Sequence, residues 1–92
     1  MWWNGYRTIV LDQLAQSFVD THTTANASME ARWRGVEWLL ARTPEVGTPR
    51  DKTAPKNFLI VVFDVTPLFL KLGVLYSYDD NNVFVHAATH FP

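Results

Sequence analysis

Proton-transfer chemistry near neutral pH falls to histidine, and the chain holds three of them: His22, His86 and His90. It has no cysteine, which excludes a disulfide scaffold, a thiolate zinc site and a cysteine nucleophile. His86 and His90 lie in Val83 to His90, a stretch that reads as a strand. Alternation puts Val83, Val85 and Ala87 on one face and Phe84, His86, Ala88 and His90 on the other. Four residues of strand separate the two histidines by roughly 13 Å, too far to share a metal ion. No metal and no cofactor are therefore expected. A Gly-rich phosphate loop and a His-Glu-x-x-His pattern are both missing, and Ser17, Ser28 and Ser77 sit in no nucleophile-elbow context. Cations gather at Arg50, Lys52 and Lys56, three against the carboxylates of Glu45 and Asp51. Lys71 stands alone on a later strand.

These residues need elements to place them. Tyr6 to Leu11 is β-branched and aromatic and reads as a short first strand. Asp12 follows and is suited to cap a helix by accepting from free backbone N–H groups. Leu11, Leu14, Ala15, Phe18 and Val19 recur at helical spacing, so a first helix runs over about 13–22. Thr21-His22-Thr23-Thr24 is a break, and Asn26 or Ser28 caps a second helix. Met29, Trp33, Val36 and Leu40 make one apolar face of it, with Glu30, Arg34, Glu37 and Arg42 opposite. Trp38 and Leu39 widen the stripe and predict burial on more than one side. Thr43-Pro44 ends the helix. The two helices form an antiparallel hairpin.

Pro44, Gly47, Pro49 and Pro55 then punctuate a loop. Phe58 to Val65 is a near-continuous apolar run, expected of a central strand covered on both faces. Asp64-Val65-Thr66-Pro67 turns the chain, Leu68 to Tyr78 is a long strand, and Asp79-Asp80-Asn81-Asn82 is a hairpin turn. The order is β-α-α-β-β-β. The fold class expected is α+β: a helical hairpin packed on one face of a mainly antiparallel four-stranded sheet, its other face free for a partner or substrate.

The totals agree with one small globular domain. The chain has 92 residues, 48% hydrophobic and 18% charged, with a net charge of −1. That composition excludes a disordered tail, a collagen and a highly charged coiled coil, and the charge does not announce a nucleic-acid binder. The longest apolar run, Phe58 to Phe63, is far short of the ~20 residues that span a bilayer, and the N-terminus lacks signal-peptide anatomy. A cytoplasmic location is expected. The aromatic content is high, with Trp33 and Trp38 expected in the core. Trp2 and Trp3 are expected to fold back onto the sheet edge or to bury in a homodimer interface.

Three stretches carry a resemblance to a known family. They are Trp38 to Arg50, where a helix end is followed by Pro, two residues, Gly and a basic loop; Val74-Leu75-Tyr76-Ser77-Tyr78-Asp79-Asp80, a Tyr-rich strand entering an acidic hairpin; and Val83 to His90, a last strand ending near a histidine. Together with the element order, the chain over about residues 6–91 resembles the RelE/ParE superfamily of toxins from bacterial toxin–antitoxin pairs. Members of that family cleave mRNA on the ribosome or poison DNA gyrase. The resemblance implies a cognate antitoxin as partner, and gyrase or the ribosome and its mRNA as target. For a cleaving member it implies His90 as acid or base, Lys71 as a phosphate-side cation, and Arg50, Lys52 and Lys56 as RNA-phosphate contacts.

The chain also departs from the family pattern. Cleaving members are usually strongly basic, whereas this chain is slightly acidic, Lys71 has no arginine around it, and Phe91-Pro92 ends the chain without a basic tail. A toxin-like protein that acts by binding a protein target is therefore the first reading. A ribosome-dependent endoribonuclease is the second, and a small α+β interaction domain unrelated to toxins is the third.

Overall fold

The computed structural model describes residues 6–24, 26–65 and 70–91. Thr8–Leu11 forms β1, Gln13–Thr23 α1 and Ala27–Arg42 α2. A single 3-10 turn at Pro44–Val46 leads to a two-residue strand β2, Thr48–Pro49. Then come β3 (Leu59–Val65), β4 (Leu70–Tyr78) and β5 (Asn82–Phe91). The turn expected near Thr66-Pro67, the start of β4 at Leu68, Trp2, Trp3 and Pro92 lie outside the described residues.

The five strands form one sheet in the order β1-β5-β4-β3-β2. β1 runs parallel to β5, and the other three pairings are antiparallel. The sheet thus has five strands, not four. The extra one lies in the stretch expected to be loop, where Thr48 and Pro49 pair with Ile60 and Leu59. A proline at a sheet edge costs no ladder bond when its missing N–H faces outward, so composition alone conceals this strand.

Local chemistry explains the helices. Asn26 caps α2, its side chain accepting from the Met29 N–H at 3.1 Å. Glu30 and Arg34 pair one turn apart at 2.6 Å on its solvent side. Met29, Trp33, Val36, Leu40 and Ala41 are buried. All of these but Ala41 meet Ala15 of α1 and Leu59, Leu72, Val74, Tyr76, Val83 and Val85 of the sheet in one core cluster, and each large apolar side chain so buried contributes roughly 1.5–3 kcal/mol. Both helices therefore cover the same face.

Two expectations about packing are corrected. Trp38 is 53% exposed, its ring lying 4.0 Å beneath the Arg42 guanidinium, so α2 is buried along one stripe only. The β3 run is not a central strand covered on both faces, because β4 holds the centre. Leu59 is buried, while Ile60 and Val62 are 51% and 48% exposed on the side away from the helices. Among the described residues, no helix is long and apolar enough to cross a membrane.

The hairpin between β4 and β5 forms as its residues require. The Asp79 carboxylate accepts from the Asn81 and Asn82 N–H groups at 2.8 and 2.7 Å, which holds it below the usual carboxylate range. The register then slips once. Leu75 faces Ala87 but Tyr76 faces Val85, leaving His86 as the extra residue of a bulge.

Candidate functional site

The bulge decides what the last strand presents. Before it, Val83 and Val85 are fully buried under the helices. After it, Ala88 joins the core side, while Ala87, Thr89 and Phe91 line a shallow apolar groove on the opposite face. The uninterrupted alternation expected for this strand is thus broken. His86 and His90 lie on opposite faces of the sheet.

His90 points towards α1. Its ring lies 5.2 Å from Phe18 and 5.0 Å from His22, both edge-on. Its Nε2 is buried and finds no hydrogen-bond partner among the described residues. Burial, and secondarily the neighbouring His22, push its pKa below the ordinary histidine value. Lys71 is exposed and pairs with Phe91 across the ladder, next to the Leu72–His90 pair. Adjacent residues of a strand point to opposite faces, so Lys71 and His90 are not brought to one site.

The basic loop is likewise divided. Arg50 and Lys52 line an open polar hollow of about 570 Å³ with Asp51, Asn57 and Phe58. Thr53 turns back on the Asp51 carboxylate, donating from N–H at 2.9 Å and hydroxyl at 2.7 Å. Lys56 turns instead to the hairpin, 3.5 Å from Asp80 and 5.9 Å from the centre of the Tyr78 ring. Lys71 lies seven residues along β4 from Tyr78, roughly 23 Å away. The cations thus surround no single phosphate position.

The root of this loop is held by one buried phenol. Tyr76 is fully buried. Its hydroxyl donates to the Pro44 carbonyl at 2.6 Å and accepts from the Gly47 N–H at 2.8 Å. A Cβ on Gly47 would stand 2.5 Å from that hydroxyl, so glycine is required there by close approach. Burial pushes the phenol up to about 12.

The structure assembles a different set of polar groups on the helix-free face. His86 Nδ1 lies 2.7 Å from the Asp12 carboxylate, and His86 Nε2 lies 2.9 Å from Ser77 Oγ. That Oγ also accepts from the Phe58 N–H at 2.9 Å, and the Phe58 ring lies 5.2 Å from the imidazole. An ionised carboxylate only accepts, so the tautomer that satisfies both contacts is the one with its proton on Nδ1 and the Ser77 hydroxyl hydrogen directed at Nε2. The row runs Asp12, His86, Ser77, Phe58, one residue from or beside each of β1, β5, β4 and β3 in sheet order.

The expected role of Asp12 as the cap of α1 is only half met. It occupies the cap position, but its side chain makes no capping bond and holds His86 instead. Sequence reasoning missed the set because its members are 9 to 74 residues apart in the chain. Asp12 and His86 are brought together by β1 running parallel to β5, a pairing that strand propensity does not reveal.

Beside the row, this face carries a mostly apolar groove, with exposed Lys71 next to it opposite Phe91. Ile60, Val62, Leu75, Ala87, Thr89 and Phe91 line the groove, about 250 Å³ in volume. Phe91 lies across Gly73, within 3.1 Å of where a Cβ would stand. Among the described residues no group of three or more histidine, aspartate or glutamate side chains is disposed to hold a metal ion.

No family model matches the chain, and neither a curated protein nor a solved structure matches it.

Proposed function

We propose that this chain is a toxin-like component of a toxin–antitoxin pair, one that acts in the cytoplasm by binding a macromolecular target and is silenced by a cognate antitoxin. One observation carries the reading. The helical hairpin covers one face of the sheet, and the other face exposes Ile60, Val62 and Phe91 at 51%, 48% and 37%. Exposed apolar side chains in a contiguous row mark a contact surface. An antitoxin segment with complementary apolar side chains is the partner this reading assigns to it. The resemblance of the three stretches to RelE/ParE toxins supplies the biological class.

The test is expression in a bacterial host, with and without the neighbouring short reading frame, followed by pull-down of the co-expressed pair. Growth arrest relieved by the neighbour, and binding lost in Ile60→Lys with Val62→Lys, are the expected results. Absence of arrest combined with unchanged binding by the lysine variant would overturn the proposal.

Ribosome-dependent mRNA cleavage through His90 and Lys71 is the weaker reading. Those two side chains face opposite sides of the sheet, and Arg50, Lys52 and Lys56 do not converge on either. Growth arrest that survives His90→Ala excludes it. A non-toxic interaction domain would bind a partner and arrest nothing.

A further inference from the structure

We propose that Ser77 is an activated nucleophile, with His86 as its general base and Asp12 as the group that positions the histidine. The activity goes beyond the binding role and does not depend on it. Three structural irregularities converge on these residues. Asp12 occupies a helix cap yet leaves the cap bond unmade, giving up about 1 kcal/mol of helix stability, and its carboxylate meets His86 Nδ1 at 2.7 Å. His86 is the extra residue of the β-bulge, a device that re-aims a side chain; here it turns the ring to Ser77. Phe58, an aromatic residue, holds a left-handed backbone at φ 53°, where side chains are disfavoured. That conformation goes with an N–H aimed at Ser77 Oγ and a ring set beside His86.

The geometry meets the requirements of nucleophilic catalysis. Nucleophile and base are in hydrogen-bond contact, and a third group orients the base in the tautomer that can accept the hydroxyl proton. The Phe58 N–H donates to Ser77 Oγ at 2.9 Å and so fixes that oxygen against the imidazole. Phe58 is also a wall of the hollow that contains Arg50 and Lys52. An acyl or phosphoryl compound with an apolar group against Phe58 and an anionic group towards those cations is the substrate class the surroundings favour.

Diisopropyl fluorophosphate is the probe. Ser77 Oγ attacks phosphorus, the P–F bond breaks, and the Ser77 proton passes to His86 Nε2 and then to solvent as fluoride departs. The product is one diisopropylphosphoryl ester on Ser77. Peptide mass spectrometry of the unaltered protein reads it directly. Ser17 and Ser28 are exposed and serve as controls within the same molecule. General-base assistance predicts Ser77 labelling about 10²-fold or more faster than theirs.

His86→Gln should abolish the preference. Asp12→Asn should lower it and shift the His86 tautomer in ¹⁵N NMR away from Nδ1–H, a change that a purely structural contact would not couple to labelling. Labelling of Ser77 no faster than Ser17 and Ser28 in the unaltered protein would overturn the proposal and leave the row as a structural tie between strands. That outcome needs no variant to fold, and it would leave the antitoxin reading untouched.

Discussion

Replacing Tyr76 by Phe tests whether the loop root is held by its hydroxyl. The oxygen serves two backbone groups: it donates to the Pro44 carbonyl at 2.6 Å and accepts from the Gly47 N–H at 2.8 Å. Each buried polar group left without a partner costs about 1–3 kcal/mol. Pro44 is buried and Gly47 only half-buried, so water recovers part of the second loss. The sum at neutral pH is about 2–3 kcal/mol.

Alkali gives an independent handle. Burial raises the Tyr76 pKa from 10.0 to about 12, against the smaller opposing effect of the Gly47 N–H. Above pH 10 the unfolded chain releases this proton while the folded chain keeps it, so the unfolded state binds fewer protons and stability falls as pH rises. Two pKa units correspond to about 2.7 kcal/mol. The stability contributed by the protonated phenol is therefore whole below pH 10 and is lost as the pH rises through about 12. Urea unfolding of the unaltered protein and of Tyr76→Phe, followed by Trp fluorescence at steps of pH, is the assay. The stability gap between the two should be constant below pH 10 and close almost completely by about pH 12. A gap that stays constant across that range, or one under about 0.5 kcal/mol at neutral pH, would refute the argument that these bonds are buried and mutually satisfied.

Other outcomes follow from the same structure. His90 has a depressed pKa in the fold, so the unfolded chain takes up its proton first on acidification; the stability is whole above about pH 6.5 and is lost as pH falls through the folded pKa. His90→Leu should flatten that acid limb, read by thermal melts from neutral pH down into the acid range. Asn26→Ala removes the α2 cap bond and should cost about 1 kcal/mol in urea unfolding, whereas Asp12→Ala should cost α1 no cap bond. Gly47→Ala drives a methyl into the Tyr76 hydroxyl and should lower the melting temperature, an effect that Tyr76→Phe in the same chain would reduce.

Helices and the hairpin were legible because their signals are local. Asn26 ahead of Met29, Trp33, Val36 and Leu40 marks α2 to within a residue, and Asp79 with Asn81 and Asn82 closes its own turn. The amphipathic stripe of α2 and the apolar strands dictate a helical hairpin buried against one sheet face, because apolar surface must leave water wherever a partner face exists. The sequence by itself therefore determined the class of fold, the order of the main elements and most of the core.

Only tertiary structure decided which polar groups meet. A one-residue bulge reverses every side chain beyond it, so it sends His86 and His90 to opposite faces and separates His90 from Lys71. Parallel pairing of β1 with β5 carries Asp12 to His86 across 74 residues of chain, and the bond formed there outcompetes the helix cap that the local sequence offers. Trp38 lies outside the core for a related reason: the sheet reaches only one stripe of α2. Register and pairing depend on the summed packing of the whole sheet. No short window of residues contains that sum.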